Sequence, residues 1–105
     1  MNIQSDDLNI QSLAFLAKSL ADENRLRILL CVSKEKKSVS SIVEELGLSQ
    51  PLVSHHLKEL KRALLVNVER SGPFIYYQMT DARVLEILAG LHELAVTLLS
   101  ERITF

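Results

Sequence analysis

The middle of the chain contains two short segments whose apolar residues recur at helical spacing. The first segment has one apolar face: Val39, Ile42, Val43 and Leu46. Gly47 follows it, as glycine commonly does where a helix ends. The second segment begins at Ser49, a good N-cap residue, and has Pro51 in its first turn. Its apolar face is Val53, Leu57 and Leu60. Two helices joined by a short turn over about residues 39–63 predict a helix-turn-helix.

The second helix of this motif also carries a polar face. Hydrogen-bonding side chains come early on that face and cations come late: Ser49, Gln50, Ser54, His55, Lys58, Lys61 and Arg62. This order is typical of a recognition helix, whose first residues meet base edges while later cations reach phosphates. His56 falls with the apolar positions, and we expect it at the edge of the core. The alternative is the solvated face of an ordinary helical hairpin.

After Arg62 the apolar pattern changes to that of strands. Residues 65–70 and 74–79 are rich in Val, Ile, Phe and Tyr, and they flank Ser71-Gly72-Pro73. A hairpin directly behind a recognition helix is the wing of a winged helix, here about residues 65–79. We expect Arg70 and Ser71 at its tip to contact the DNA backbone or minor groove. A hairpin that only packs on the domain is the alternative.

Helices are also predicted on both sides of this unit. Residues 1–7 form a loose leader before a helix over about residues 8–20. Asp22 is the N-cap of the next helix, Glu23 to about Ser33, and we expect Arg25 to pair back with Asp22. The buried side of that helix is predicted to include Leu26, Leu29 and Leu30. The final helix covers about residues 81–101.

The first and last helices are apolar on more than one side, which indicates a second packing partner. We therefore predict a homodimer formed by these two helices. Its interface residues are Leu13, Leu16, Val84, Leu88, Leu91, Ala95 and Leu98. Two-fold symmetry would place the recognition helices about 34–36 Å apart, which matches an inverted-repeat operator.

Composition and charge narrow the class of protein. A chain of 105 residues predicts one domain, residues 1–105, mainly α with a small β-hairpin (α+β). The net charge of −1 excludes a generally basic nucleic-acid binder, but residues 47–72 have four cations and two acids, a local excess of +2. A polar N-terminus, the lack of a long apolar run and a single cysteine favour a cytoplasmic protein without a membrane partner. That cysteine, Cys31, is predicted to be a small core residue; the alternative is a thiol-reactive sensor.

Three segments together resemble the ArsR/SmtB family of bacterial winged-helix repressors. They are LADENRLRILL (20–30), LSQPLVSHHLKEL (48–60) and YYQMTD (76–81), and the similarity covers about residues 13–101. The resemblance implies a dimer that represses transcription and usually leaves its operator when an inducer binds. It also implies base contacts from Gln50, Ser54 and His55.

The metal ligands of that family do not match. Its Cys-x-Cys site falls on Ser38-Val39-Ser40, and hydroxyls are poor ligands for soft ions. At its other site Asp81 matches, but Arg83 replaces a histidine and cannot coordinate a cation. His92 lies out of step with the later ligands. We therefore predict no metal or other cofactor; a metal sensor using His92 is the alternative. Arg83 suggests a fixed positive charge that pairs with a carboxylate such as Glu93 of the partner subunit.

The leading interpretation is a dimeric, sequence-specific DNA-binding transcriptional regulator, a repressor whose inducer is unknown. A winged-helix module that docks another protein is the competing function, and a metal- or redox-responsive repressor is the competing signal. An enzyme is not expected, because the sequence has no partnered nucleophile, phosphate-binding glycine loop or closed metal set.

Overall fold

A computed structural model describes residues 8–102, and the predicted leader, residues 1–7, lies outside them. The helices are α1 (Ile10–Leu20), α2 (Glu23–Cys31), α3 (Val39–Leu46), α4 (Gln50–Arg62) and α5 (Arg83–Arg102), and the strands are β1 (Val66–Ser71) and β2 (Phe74–Met79). The order confirms the predicted winged helix-turn-helix, mainly α with one hairpin. Three helix bounds differ by two residues: α1 begins at Ile10 because Asn9 caps it, α2 ends at Cys31 rather than near Ser33, and α5 begins at Arg83 rather than near Asp81.

Short polar side chains begin the first four helices. Each cap accepts a hydrogen bond from a backbone N–H of the first turn: Asn9, Asp22, Ser38 and Ser49. Such a cap satisfies one of the four N–H groups that a helix start leaves without a partner. The positions at which these helices begin therefore follow from local sequence.

Left-handed residues end the two helices of the helix-turn-helix. Gly47 closes α3 with a φ of 67° and donates its N–H to the Val43 carbonyl at 2.9 Å. After α4, Leu64 has a φ of 63°, and the N–H of Leu65 reaches back to the Leu60 carbonyl at 2.9 Å. The second arrangement is a Schellman ending. It turns the chain from α4 directly into β1.

The core forms around α4. Its buried apolar members come from every helix after α1 and from the start of the wing: Ile28, Leu29, Val32, Ile42, Val53, Leu57, Leu60, Ala63, Leu65, Val66 and Leu88. Two expectations were wrong here. Leu30 is 47% exposed, because it faces a groove between α2 and α5 rather than this core. His56 is 6% exposed, and so is buried rather than at the edge of the core.

The expected pairing of Arg25 with Asp22 involves the backbone alone. The Arg25 N–H donates to the Asp22 carboxylate at 3.0 Å. The guanidinium of Arg25 instead donates to His56 on α4. The Asp22 cap holds the backbone of Arg25 at the start of α2, while the long side chain of Arg25 reaches His56, 31 residues away.

The wing is an antiparallel hairpin anchored at its base. The register runs from Val66 opposite Met79 to Ser71 opposite Phe74, so Gly72 and Pro73 form the turn. The other edge of β2 also has partners, because Lys37 and Tyr77 exchange two backbone hydrogen bonds of 2.9 and 2.8 Å. The segment before α3 therefore covers the outer edge of β2 at the base of the wing. Towards the tip, β2 pairs with β1.

An open apolar face remains on α1 and α5. Its large side chains are each 53–58% exposed: Ile10, Leu13, Phe15, Ile87, Leu91, Leu94 and Leu98. Other residues predicted for the dimer interface pack within their own chain, since Leu88 is buried and Leu16 and Val84 pack against the core. Ala95 is half-buried and lines the groove between α2 and α5. Within residues 8–102, no helix is long and apolar enough to cross a membrane.

Candidate DNA-binding surface

The polar face of α4 is exposed where the sequence predicts base contacts. Gln50, Ser54 and His55 are all exposed in the first half of the helix. Ser49 is exposed too, but its hydroxyl accepts the Leu52 N–H at 3.3 Å and so caps the helix. Because Val53 and Leu57 anchor the opposite face in the core, the three free side chains project together from a rigid support.

The later cations of α4 extend this polar face. Lys58, Lys61 and Arg62 are exposed. The guanidinium of Arg62 lies 3.4 Å from the carboxylate of the half-buried Glu59, a surface pair of modest strength. Lys58 and Lys61 form no ion pair with any residue in the described part of the chain. They are therefore available to an anion such as a phosphate.

The wing adds a second exposed segment, and its acid is neutralised. Arg70 and Ser71 are exposed at the tip, as predicted. The carboxylate of Glu69 lies 2.8 Å from the Lys36 ammonium, which also sits 5.3 Å from the centre of the Tyr76 ring. Counting charges along residues 47–72 missed Lys36, because it lies in an earlier loop. Glu69 is therefore paired with a cation that lies outside that segment.

Cys31 lies half-buried next to a charged pair. The Lys37 ammonium is 3.6 Å from the Cys31 sulfur and 2.6 Å from a Glu45 carboxylate oxygen. Burial is the largest influence on the thiol and raises its pKa, against the weaker opposing effect of Lys37. A thiolate is the reactive form of cysteine, so this environment favours the packing role over the sensor role.

Arg83 pairs with an acid of its own chain. Its guanidinium contacts both oxygens of Asp81, with the shortest distance 2.7 Å, and its N–H donates to the same carboxylate at 2.9 Å. These hydrogen bonds lower the pKa of Asp81 to about 2. Within one chain the guanidinium of Arg83 is thus held by Asp81, and its pairing with Glu93 of the partner subunit stays a prediction.

The structure gives the other sensor candidate no ligand set. His92 is exposed at the edge of the groove between α2 and α5, whose remaining lining is apolar: Leu26, Leu30, Leu85, Leu88, Ala89, Leu91 and Ala95. Within residues 8–102, no three His, Cys, Asp or Glu side chains lie close enough together to hold a metal ion.

Comparisons with known proteins agree with this fold. A family model described as "Bacterial regulatory protein, arsR family" matches residues 22–68. The transcriptional activator HlyU of Vibrio cholerae is 33% identical over 94 residues, which cover 90% of this chain and 87% of that protein. The chain belongs to the ArsR family. An uncharacterized HTH-type transcriptional regulator of Methanocaldococcus jannaschii is 38% identical over 82 residues, 77% of this chain and 92% of that one.

Solved structures of ArsR-type proteins superimpose on most of the chain. Reduced HlyU from Vibrio cholerae has a TM-score of 0.74 at 32% identity, covering 88% of this chain and 97% of that one. The homodimeric winged helix-turn-helix DNA-binding domain of Mb0332 from Mycobacterium bovis has a TM-score of 0.75 at 29% identity, covering 90% of both chains. The predicted family and the function of DNA-binding transcription regulator are confirmed, and the relatives are regulators rather than enzymes.

Proposed function

We propose that this ArsR-family protein is a homodimeric repressor that reads an inverted-repeat operator with α4 and the wing. The observation that carries this proposal is the exposed row Gln50, Ser54 and His55, followed by Lys58 and Lys61. A glutamine can form a bidentate contact with adenine, and serine and histidine can donate to or accept from base edges. The cations supply the phosphate contacts that give affinity without sequence preference.

The open apolar face supports the dimer. Leu91, Leu94 and Leu98 lie on one side of α5, and each exposes more than half of its surface. Contiguous apolar surface of this kind is covered in stable proteins. The Mb0332 domain, which shares this fold, is homodimeric. A second copy of the chain is therefore the partner we assign to this face.

The proposal also specifies that the protein represses transcription rather than activating it. A repressor needs only to occupy DNA that the polymerase requires, and the described domain supplies a DNA surface and an apolar face for a second subunit. HlyU is named as an activator. Transcription from the protein's own promoter, measured with and without the gene, distinguishes the two: expression rises on deletion if the protein represses and falls if it activates.

We also propose that the inducer is not a metal held at the positions known from SmtB-type relatives. Serines replace the thiolates near the start of α3, and Arg83 is engaged by Asp81. A change in DNA affinity on addition of zinc, reversed by chelation, would refute this proposal.

Fluorescence anisotropy with a labelled duplex from upstream of the protein's own gene tests the DNA-reading role. Gln50→Ala and His55→Ala should each weaken binding to this duplex by about 1–3 kcal/mol, roughly fivefold to 150-fold, with little effect on a scrambled duplex. Lys61→Ala is the matched control, because a phosphate contact affects both duplexes equally and lowers the salt slope by about one.

The competing function gives a different result in the same assay. A winged-helix module that docks another protein would bind both duplexes weakly, without steep salt dependence and without loss in any of the three variants. That result would refute the DNA-reading role of α4. It would redirect the search to a protein that contacts the same exposed face.

A further inference from the structure

Two polar side chains are buried among the described residues, Ser19 and His56. Both lie at the corner where α1, α2 and α4 meet. His56 belongs to the recognition helix and directly follows His55, which faces the solvent. A buried polar group costs free energy unless it has a hydrogen-bond partner, so the hydrogen bonds at this corner indicate why the two side chains are tolerated there.

The hydrogen bonds at this corner link three helices. Arg25 Nε donates to His56 Nδ1 at 3.2 Å, and Arg25 Nη1 donates to the Ser19 carbonyl at 3.5 Å. A carboxylate oxygen of Asp22 lies 3.7 Å from His56 Nε2, an electrostatic contact beyond ordinary hydrogen-bond length. One guanidinium thus joins the recognition helix to the end of α1, which belongs to the proposed dimer interface.

The Arg25 donor determines which nitrogen of the neutral His56 ring carries the proton. Arginine is always protonated and has no acceptor, so His56 Nδ1 must be the bare nitrogen. The ring proton of the neutral form therefore resides on Nε2, which faces Asp22. A second proton would have to occupy Nδ1, where it would meet the N–H of Arg25.

We propose that His56 is a positioning residue for DNA binding, whose neutral imidazole holds α4 in its DNA-reading orientation by accepting from Arg25. Protonation of the ring breaks this bond and releases the recognition helix from the corner of α1 and α2. The inference rests on the proposed DNA-reading role of α4. It predicts a protein that loses operator affinity when the pH falls.

The groups around His56 determine how the stability of the folded corner depends on pH. Burial is the main influence and lowers its pKa; Asp22 and Glu59 act in the opposite direction, while Arg25 and His55 lower it further. The other elements packed on α4 contribute apolar side chains such as Ile42 and Val66. The unfolded ring takes up a proton at a higher pH than the folded one, so stability falls as the pH drops below about 6.5.

Three variants separate the hydrogen bond from packing and from the neighbouring ring. His56→Asn keeps an acceptor near the position of Nδ1 but cannot be protonated. His56→Leu keeps comparable volume without an acceptor. His55→Asn controls for the exposed neighbouring ring; only the shape of its pH profile is compared with wild type, because His55 itself belongs to the DNA-reading row.

The measurement is anisotropy with the labelled upstream duplex between about pH 5.5 and 8 at constant ionic strength. Wild type and His55→Asn should lose affinity towards low pH. His56→Asn should bind within about threefold of wild type at pH 7.5 and show a flat profile. His56→Leu should bind about tenfold more weakly at pH 7.5, because the bond that selects the binding orientation is lost.

Several results would overturn the inference. A pH profile of His56→Asn identical to that of wild type would show that His56 is not the titrating group, even if His56→Leu fails to fold. Ring nitrogen NMR shifts that place the proton of the neutral ring on Nδ1 would contradict the geometry without any DNA. If wild type binds no duplex with salt-dependent affinity, the DNA-reading proposal itself fails; if it binds and only the pH profiles disagree, only the role of His56 fails.

Discussion

Replacing Gly47 by alanine should destabilise the protein, and the same substitution at Gly90 should stabilise it. Gly47 has a φ of 67° at the end of α3, whereas Gly90 lies inside α5 with no positive φ. A Cβ built at either position meets no atom within 4 Å. Within a single chain the two substitutions therefore add the same methyl group into open space and differ in backbone conformation.

The magnitudes follow from that difference. A residue with a Cβ pays roughly 1–2 kcal/mol in the left-handed conformation. The more restricted unfolded chain of the alanine variant returns part of this cost, about 0.4–1 kcal/mol. We expect Gly47→Ala to lose about 1 kcal/mol. Gly90→Ala should gain about 0.5–1 kcal/mol, the difference between glycine and alanine in a helix interior.

Thermal unfolding followed by circular dichroism at one fixed protein concentration measures both variants. For a domain of this size, 1 kcal/mol corresponds to about 4–8 °C in Tm. Gly47→Ala should melt below wild type and Gly90→Ala above it. Shifts of the same sign in the two variants would refute the reasoning, because packing within the chain is open at both positions and the backbone argument separates them.

Three further outcomes are expected. Leu91→Glu should dissociate the proposed dimer in sedimentation velocity, because it buries an unpaired carboxylate in the interface. Thr97→Glu, on the polar side of α5, should leave the dimer intact, and equal behaviour of the two variants would contradict the assigned face. Arg83→Gln should raise the pKa of Asp81 from about 2 towards its ordinary 3.8 in an NMR titration. Since the folded pKa is lowered, the contribution of this pair is present above about pH 4 and lost as the pH falls towards 2; an unchanged pKa would show that Arg83 is not its cause. Cys31 should react with a thiol reagent at least about tenfold more slowly in the folded than in the unfolded protein, because burial disfavours the thiolate; equal rates would restore the sensor hypothesis.

Local sequence predicted the elements because local interactions determine them. The caps Asp22 and Ser49 and the left-handed Gly47 act within one helical turn of their own positions. The period of the apolar residues then indicates which face of each helix turns inward. These signals were enough for the winged helix-turn-helix and for the exposed row on α4.

The sequence pattern does not identify what covers an apolar face. Leu30 has the spacing of a core residue, yet it faces a groove, and Leu88 has the spacing of an interface residue, yet it lies in the core of its own chain. Both expectations failed for the same reason. Periodicity gives the direction of a side chain around its helix, and the identity of the neighbour depends on how the helices pack.

Partners that are distant in sequence were also missed. His56 meets Arg25, and Glu69 meets Lys36, across 31 and 33 residues. Long charged side chains reach whichever partner the fold brings near them. Only the assembled domain therefore shows that the acid of the wing is neutralised and that the recognition helix is tied to α2.

The two backbone hydrogen bonds between Lys37 and Tyr77 fix the base of the wing to the rest of the domain. At its base β2 is bonded on both edges, whereas beyond Tyr76 the described backbone pairs only across the hairpin. Amide hydrogens should therefore exchange slowly at Tyr77 and progressively faster towards Gly72. With its base fixed in this way, the tip should be able to move without loosening the domain that carries the recognition helix.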